Sequence, residues 1–384
     1  MPHALAAHEQ LDLLRRSFTR RAFGRFATLL TAGATLPFYN EPALAQYSMI
    51  PGGVPADAVK INANENPLGP CAEAAEAIHN VVKKGGRYMY EETFTLGRTV
   101  AEIEGLRPDY VQPYAGSSDP LHRTVLAFCS PARGFVVADP GYEAGARAAS
   151  YVGARVSIVP LGKDYAHDVR AMVKADPEAG VIYICNPNNP TGTLTSRADI
   201  EWALANKPAG SIILLDEAYI HLSKALSENC ADLAAKDKDI IVLRTFSKLY
   251  GMAGLRAGFA MGRPDLLAKL RMYQAGALPV TAMVGATASL RAKNVVAERR
   301  KLIGDVREDV FEFLEKHNIS FIRSDSNCFM LDTKRPAGEF IQAMRERKIY
   351  VGRVWPSWPT HSRITIGTKE EMQKFESALA EVMA

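Results

Sequence analysis

Three stretches of this 384-residue chain place polar residues directly after short apolar runs. In α/β sheets, ligands bind beyond the carboxyl ends of the strands, so these are the positions where chemistry is expected. After Val181–Ile184 comes Asn186-Pro-Asn-Asn-Pro-Thr-Gly192, a turn stiffened by two prolines that presents Asn189. After Ile212–Leu215 comes Asp216-Glu217-Ala218-Tyr219, and after Ile240–Leu243 comes Thr245-Phe-Ser247-Lys248-Leu-Tyr-Gly251-Met-Ala-Gly254-Leu-Arg256. Together they offer an amine able to condense with a carbonyl, a carboxylate able to face a cationic ring nitrogen, and Ser and Arg donors for a phosphate. A fourth segment, Gly116-Ser117-Ser118-Asp119, reads as a turn into a helix, where free N–H groups and the helix dipole favour an anion.

These residues need a scaffold that brings strand ends together. From Gly97 to Gly262, apolar runs at Phe135–Ala138, Arg155–Val159, Val181–Ile184, Ile212–Leu215, Ile240–Leu243 and Ala257–Met261 alternate with helical patterns such as Gly141–Ser150 and Ser196–Asn206. Runs apolar on both faces belong in a mostly parallel sheet covered by helices. The last hundred or so residues read as a smaller α+β unit. They predict a long charged helix from about Ala282 to His317, strands at Ile319–Ile322 and Cys328–Leu331, a helix near Ala337–Arg347, a strand at Ser362–Ile366 and a terminal helix. The fold class is thus α/β with a second, smaller domain. The boundaries read as 46–80 for an N-terminal arm with part of the small domain, 81–281 for the large domain and 282–384 for the small one.

In that order, the NPNNPTG and DEAY motifs, Ser247-Lys248 and Arg256 resemble the fold-type I pyridoxal-phosphate enzymes of aminotransferase class I/II, most closely the histidinol-phosphate aminotransferase family. The resemblance covers about Ile61 to the C-terminus. It includes the opening Asn62-Ala-Asn64-Glu65-Asn66-Pro67 and the closing Arg363-Ile-Thr-Ile-Gly-Thr368. It implies a seven-stranded sheet and a homodimer with shared active sites. It also implies that Lys248 holds pyridoxal 5′-phosphate covalently and shuttles a proton at the substrate's Cα, while Asp216 pairs with the protonated pyridine nitrogen. By the same resemblance, Tyr219 and Asn189 would bond the 3′ oxygen, Tyr142 would stack on the ring, and Ser117, Ser118, Ser247 and Arg256 would hold the phosphate, joined by Tyr88 from the neighbouring subunit. Asp119-Pro120 departs from the family's usual Gly-Ser-Asp-Glu, and a proline cannot donate an N–H. Arg363 would grip the substrate's distal anion, assisted by Arg353 and with Asn66 nearby. Between the two arginines stands Val354-Trp355-Pro-Ser-Trp358, whose rings could either pack the small domain or line a pocket for an aromatic or aliphatic side chain.

The function implied is transfer of an amino group from histidinol phosphate or an L-amino acid to a 2-oxo acid. A decarboxylase, racemase or oxidase would use the same machinery, and a non-catalytic binding protein could keep the fold. No G-x-G-x-x-G follows the first strand, which disfavours a nicotinamide dehydrogenase. Forty-six basic against 42 acidic side chains give a net charge of +4, too balanced for a nucleic-acid partner. Five widely spaced cysteines without a CxxC suggest buried free thiols rather than a metal site or disulfides. The first 45 residues read as a signal peptide: Arg20-Arg21 within Thr19–Arg25 resembles a twin-arginine motif, an apolar stretch runs from Phe26 to Tyr39, and Ala43-Leu44-Ala45 ends it. Export to the periplasm with no membrane anchor in the mature chain is the expectation. A cytoplasmic enzyme is the alternative if that segment is not a working signal.

Overall fold

The computed structural model describes residues 53–274 and 276–383, so the predicted signal peptide lies outside the described residues. In chain order the strands are β1 (Val59–Ile61), β2 (Val111–Tyr114), β3 (Gly134–Asp139), β4 (Val156–Pro160), β5 (Ala179–Cys185), β6 (Ile212–Asp216), β7 (Ile240–Thr245), β8 (Gly258–Gly262), β9 (Phe321–Ile322), β10 (Cys328–Asp332), β11 (Ile349–Val351) and β12 (His361–Thr365). Seven of them form one sheet in the order β2-β8-β7-β6-β5-β3-β4. Strands β7, β6, β5, β3 and β4 run parallel, and β8 is antiparallel to both of its neighbours. Every residue of β5, β6 and β7 is buried, which is why these strands read as unbroken apolar runs. At the sheet edge β4 loses that character and leaves Ile158 exposed.

Because β5, β6 and β7 are parallel, their carboxyl ends share one edge of the sheet. The register places Cys185 opposite Asp216, and Asp216 opposite Leu243. The three loaded segments therefore leave the sheet side by side. Helix Ser118–Phe128 begins near the same edge, after β2, whose last residue pairs with Gly258.

The later chain forms a three-stranded antiparallel sheet in the order β12-β10-β9, and β1 pairs in parallel with β11. The predicted helix from Ala282 to His317 is two helices, Val280–Arg291 and Val295–Lys316. The backbone leaves helical geometry at Ala292 (ψ 131°), and Asn294 takes a left-handed conformation (φ 65°) that its short polar side chain tolerates. Of the five cysteines, four are buried and Cys71 is half-buried, all as free thiols. No helix among the described residues is long and apolar enough to cross a membrane.

Candidate functional site

The loop after β5 is tied down before it reaches the site. Asn186 donates from Nδ2 to the Thr195 carbonyl and accepts the Thr195 N–H at Oδ1, both at 2.9 Å. Gly192 (φ 70°) lies so close to Ser324 that a Cβ there would stand 1.8 Å from its Oγ, so this crossing requires glycine. Held in this way, Asn189 is buried and its Oδ1 accepts from Arg363 Nη1 at 2.8 Å.

Asp216, the last residue of β6, is buried and accepts from two neutral donors, Tyr183 Oη at 2.9 Å and the Ala218 N–H at 3.1 Å. Burial pushes its carboxyl up to about 6, against the pull of those two hydrogen bonds and of the Lys248 charge. Lys248 is buried, its Nζ stands 5.5 Å from the centre of the Tyr219 ring, and that amine makes no hydrogen bond or ion pair among the described residues. The Tyr219 hydroxyl accepts from Asn64 Nδ2 at 3.0 Å.

Beside them is an anion cradle. Arg256 takes a left-handed backbone (φ 63°) and donates from Nη1 to Ser247 Oγ at 3.3 Å and to the Ala253 carbonyl at 2.9 Å. Its Nη2 reaches the Ala115 carbonyl at 3.2 Å and crosses Gly116, where a Cβ would be only 2.2 Å away. Ser117 caps the helix Ser118–Phe128 with no side-chain hydrogen bond of its own to it, which leaves its hydroxyl and the first helical N–H groups for an anion. Ser118 Oγ is 3.5 Å from the Tyr142 hydroxyl, which places the Tyr142 loop next to the cradle. Asp119 binds Arg123 through both oxygens, at 2.6 and 2.9 Å, and so does not face an anion.

The structure brings together Lys248, Asp216, Tyr219, Asn189, Arg363, Ser117, Ser118, Ser247, Arg256 and Tyr142. Two expectations change, those for Asn66 and Arg353, and the alternative left open for Trp355 is decided. Asn66 is committed elsewhere, donating to the Leu249 carbonyl at 2.8 Å and accepting the Leu68 N–H. It braces the lysine loop, and Asn64 is the asparagine that reaches the site. Arg353 is not available to a substrate anion, because Glu143 pairs with both of its terminal nitrogens and its guanidinium lies 3.9 Å over the Trp355 ring. Trp355 is fully buried, with Nε1 donating to the Gly141 carbonyl at 3.1 Å, so it packs and does not line an open pocket. Tyr88 points outward, 71% exposed and stacked on Tyr90. Sequence reading missed Asn64, Thr365, Cys328, Tyr183 and Glu143. Only Asn64 and Thr365 carried a signal, since both lie in the end segments already singled out.

The donor set fits pyridoxal phosphate. A buried carboxylate with only neutral hydrogen-bond donors suits a protonated ring nitrogen, an unpartnered buried amine suits a carbonyl carbon, and the Ser247–Arg256–Gly116 cradle at a helix start suits a phosphate. Arg363 is buried, with no carboxylate partner among the described residues, and its Nε lacks any hydrogen-bond partner, so it suits a second anion.

The chain is similar in sequence and in fold to known proteins. A histidinol-phosphate aminotransferase of Moorella thermoacetica is 29% identical over 367 residues, covering 91% of this chain and 94% of that protein. Histidinol-phosphate aminotransferase 2 of Pseudomonas fluorescens is 33% identical over 337 residues, covering 86% and 90%. The crystal structure of histidinol-phosphate aminotransferase from Sinorhizobium meliloti in complex with pyridoxal-5′-phosphate superposes with a TM-score of 0.80 at 24% identity, covering 91% and 96%. Residues 56–379 match the family Aminotransferase class I and II, and the chain belongs to that family, with a site whose residues fit pyridoxal phosphate as the cofactor.

Proposed function

We propose that the protein transfers the amino group of histidinol phosphate to a 2-oxo acid. The observation that carries this reading is Arg363: a buried guanidinium, unpaired with any carboxylate among the described residues and fixed by Asn189 and by the Asn62 carbonyl, both at 2.8 Å. Through Asn189 it lies one hydrogen bond from a residue of the ring site. The anion it grips is therefore close to the reacting carbon, in place of the distal anion expected from sequence. Both a 2-oxo acid carboxylate and the phosphate ester of histidinol phosphate sit near that carbon, so one guanidinium can serve donor and acceptor in turn. The named relatives support histidinol phosphate over a free amino acid, and Trp355, buried and bonded to the Gly141 carbonyl, gives no support to an aromatic or aliphatic pocket.

Bound pyridoxal phosphate supplies a carbonyl carbon for the amine and a ring that draws electrons from the substrate's Cα. Asp216 would hold the ring nitrogen's proton by charge, Lys248 would take a proton from the substrate's Cα, and Ser117, Ser118, Ser247 and Arg256 would hold the phosphate. Mixing the loaded protein with histidinol phosphate, phenylalanine or leucine, and following the conversion of the visible cofactor band, tests the donor. Conversion is expected to be fastest with histidinol phosphate, and equal or faster conversion by either amino acid would refute this choice.

The protein acts, in this reading, as a homodimer in which the exposed Tyr88 completes the neighbour's phosphate site, and it is exported folded by the Arg20-Arg21 signal. The support is the exposure of Tyr88 and the order of basic, apolar and small residues in the first 45 positions.

A further inference from the structure

Asn64 sits at the meeting point of the first and last strands of the site, and its surroundings fix the direction of each proton around it. Its backbone N–H is an unambiguous donor and points at Thr365 Oγ1, 2.9 Å away. The Thr365 hydroxyl, having accepted, sends its own proton to Asn64 Oδ1 at 3.0 Å. That orients the amide, because a flipped side chain would leave the Thr365 proton without this acceptor. Nδ2 then faces Tyr219 Oη at 3.0 Å and Cys328 Sγ at 3.1 Å, and it can only donate to both. The Tyr219 oxygen is engaged as an acceptor on the Asn64 side, so its own proton is directed away from Asn64. The left-handed backbone at Asn64 (φ 54°) and the bond from Asn327 Nδ2 to the Asn64 carbonyl at 3.1 Å hold the residue in place.

We propose that Asn64 is a positioning residue that, aligned by Thr365, sets the Tyr219 hydroxyl as a hydrogen-bond donor towards the cofactor's ring oxygen. The proposal rests on the pyridoxal-phosphate reading of the site and deepens it. Without Asn64 the hydroxyl loses the donor that faces its oxygen, the ring oxygen loses part of its donated hydrogen bond, and that oxygen becomes more basic. The charged and titratable groups around this corner are Lys248, Asp216, Cys328 and Arg363, and none of them is removed by substituting Asn64.

The test is the pH midpoint of the visible absorbance of the cofactor-loaded protein, read without substrate. Asn64→Gly accepts φ 54° without strain and deletes only the amide. Its midpoint is expected to rise by about 0.4–1 pH unit, the equivalent of one hydrogen bond of ordinary strength. Thr365→Val, which keeps Asn64 but frees its amide to flip, is expected to shift the midpoint in the same direction by less. In a Tyr219→Phe background, Asn64→Gly is expected to shift nothing further. A midpoint unchanged from wild type in both single variants, or an equal rise with Phe at position 219, would overturn the proposal. Loss of the band in the wild type itself would instead overturn the cofactor reading.

Discussion

Replacing Asp216 by Asn has opposite effects on folding and on catalysis, and the structure sets the size of the first. In the cofactor-free protein the buried carboxyl titrates near 6, against 3.8 for an ordinary aspartate, with burial as the main cause. Between those two values the folded state binds more protons at this site than the unfolded state does, so this residue makes stability fall as pH rises. The full penalty is about 3 kcal/mol well above pH 6, of which roughly half develops between pH 5 and 7.5. Asparagine carries no such penalty. Its oxygen can accept the Ala218 N–H, and its amide can donate to a rotated Tyr183 hydroxyl. Urea unfolding of cofactor-free wild type and Asp216→Asn at pH 5 and pH 7.5 is expected to show the variant gaining stability relative to wild type as pH rises. Buried His167 and half-buried His221, whose pKa values desolvation lowers to about 4 and about 3, tilt the pH dependence the other way, but they are common to both proteins and cancel in the comparison. Identical pH slopes in the two proteins would refute the argument that the site stores an uncompensated buried carboxylate. The loaded variant is expected to lose turnover, since an amide cannot balance a protonated ring.

Three other substitutions probe separate parts of the site. Gly116→Ala puts a methyl 2.2 Å from Arg256 Nη2 at a φ of 84°, and the displaced guanidinium is expected to weaken cofactor affinity about tenfold or more, measured by fluorescence titration; an unchanged Kd would mean that Arg256 is not the phosphate anchor. Lys248→Ala and Tyr88→Phe parents mixed into hybrid dimers are expected to recover activity in the sites that carry both native groups, and demonstrably mixed dimers with none would exclude sharing. Arg20→Lys with Arg21→Lys is expected to retain the precursor inside the cell on fractionation, and undiminished periplasmic product would exclude the twin-arginine route.

The central strands and their loaded ends were legible in sequence for one physical reason. Strands buried on both faces must be apolar throughout, so the polar residues that follow β5, β6 and β7 stand out. The three-residue strands β1 and β11 pair across some 290 positions and are too short to show any periodicity. Choosing Asn66 over Asn64 failed for a local reason: the left-handed backbone at Asn64 interrupts the extended run, so the asparagines at 62, 64 and 66 do not share a face. Arg353 read as an available cation because its neutralising partner, Glu143, is 210 positions away. A helix from 282 to 317 overlooked a single left-handed asparagine, which carries no pattern that a periodicity reading can detect.

The pairing of Asn62 and Asn64 with Arg363 and Thr365, across 301 positions, has a consequence for synthesis. A nascent chain leaving the ribosome carries the lysine, the aspartate and the phosphate cradle long before β12 emerges. The substrate clamp and the alignment of Tyr219 are absent until the last strand of the small sheet is in place. Any chain terminated before Thr365 would therefore keep the reactive amine while lacking the groups that direct it, so it is use of substrate, and not retention of cofactor, that distinguishes finished molecules from truncated ones.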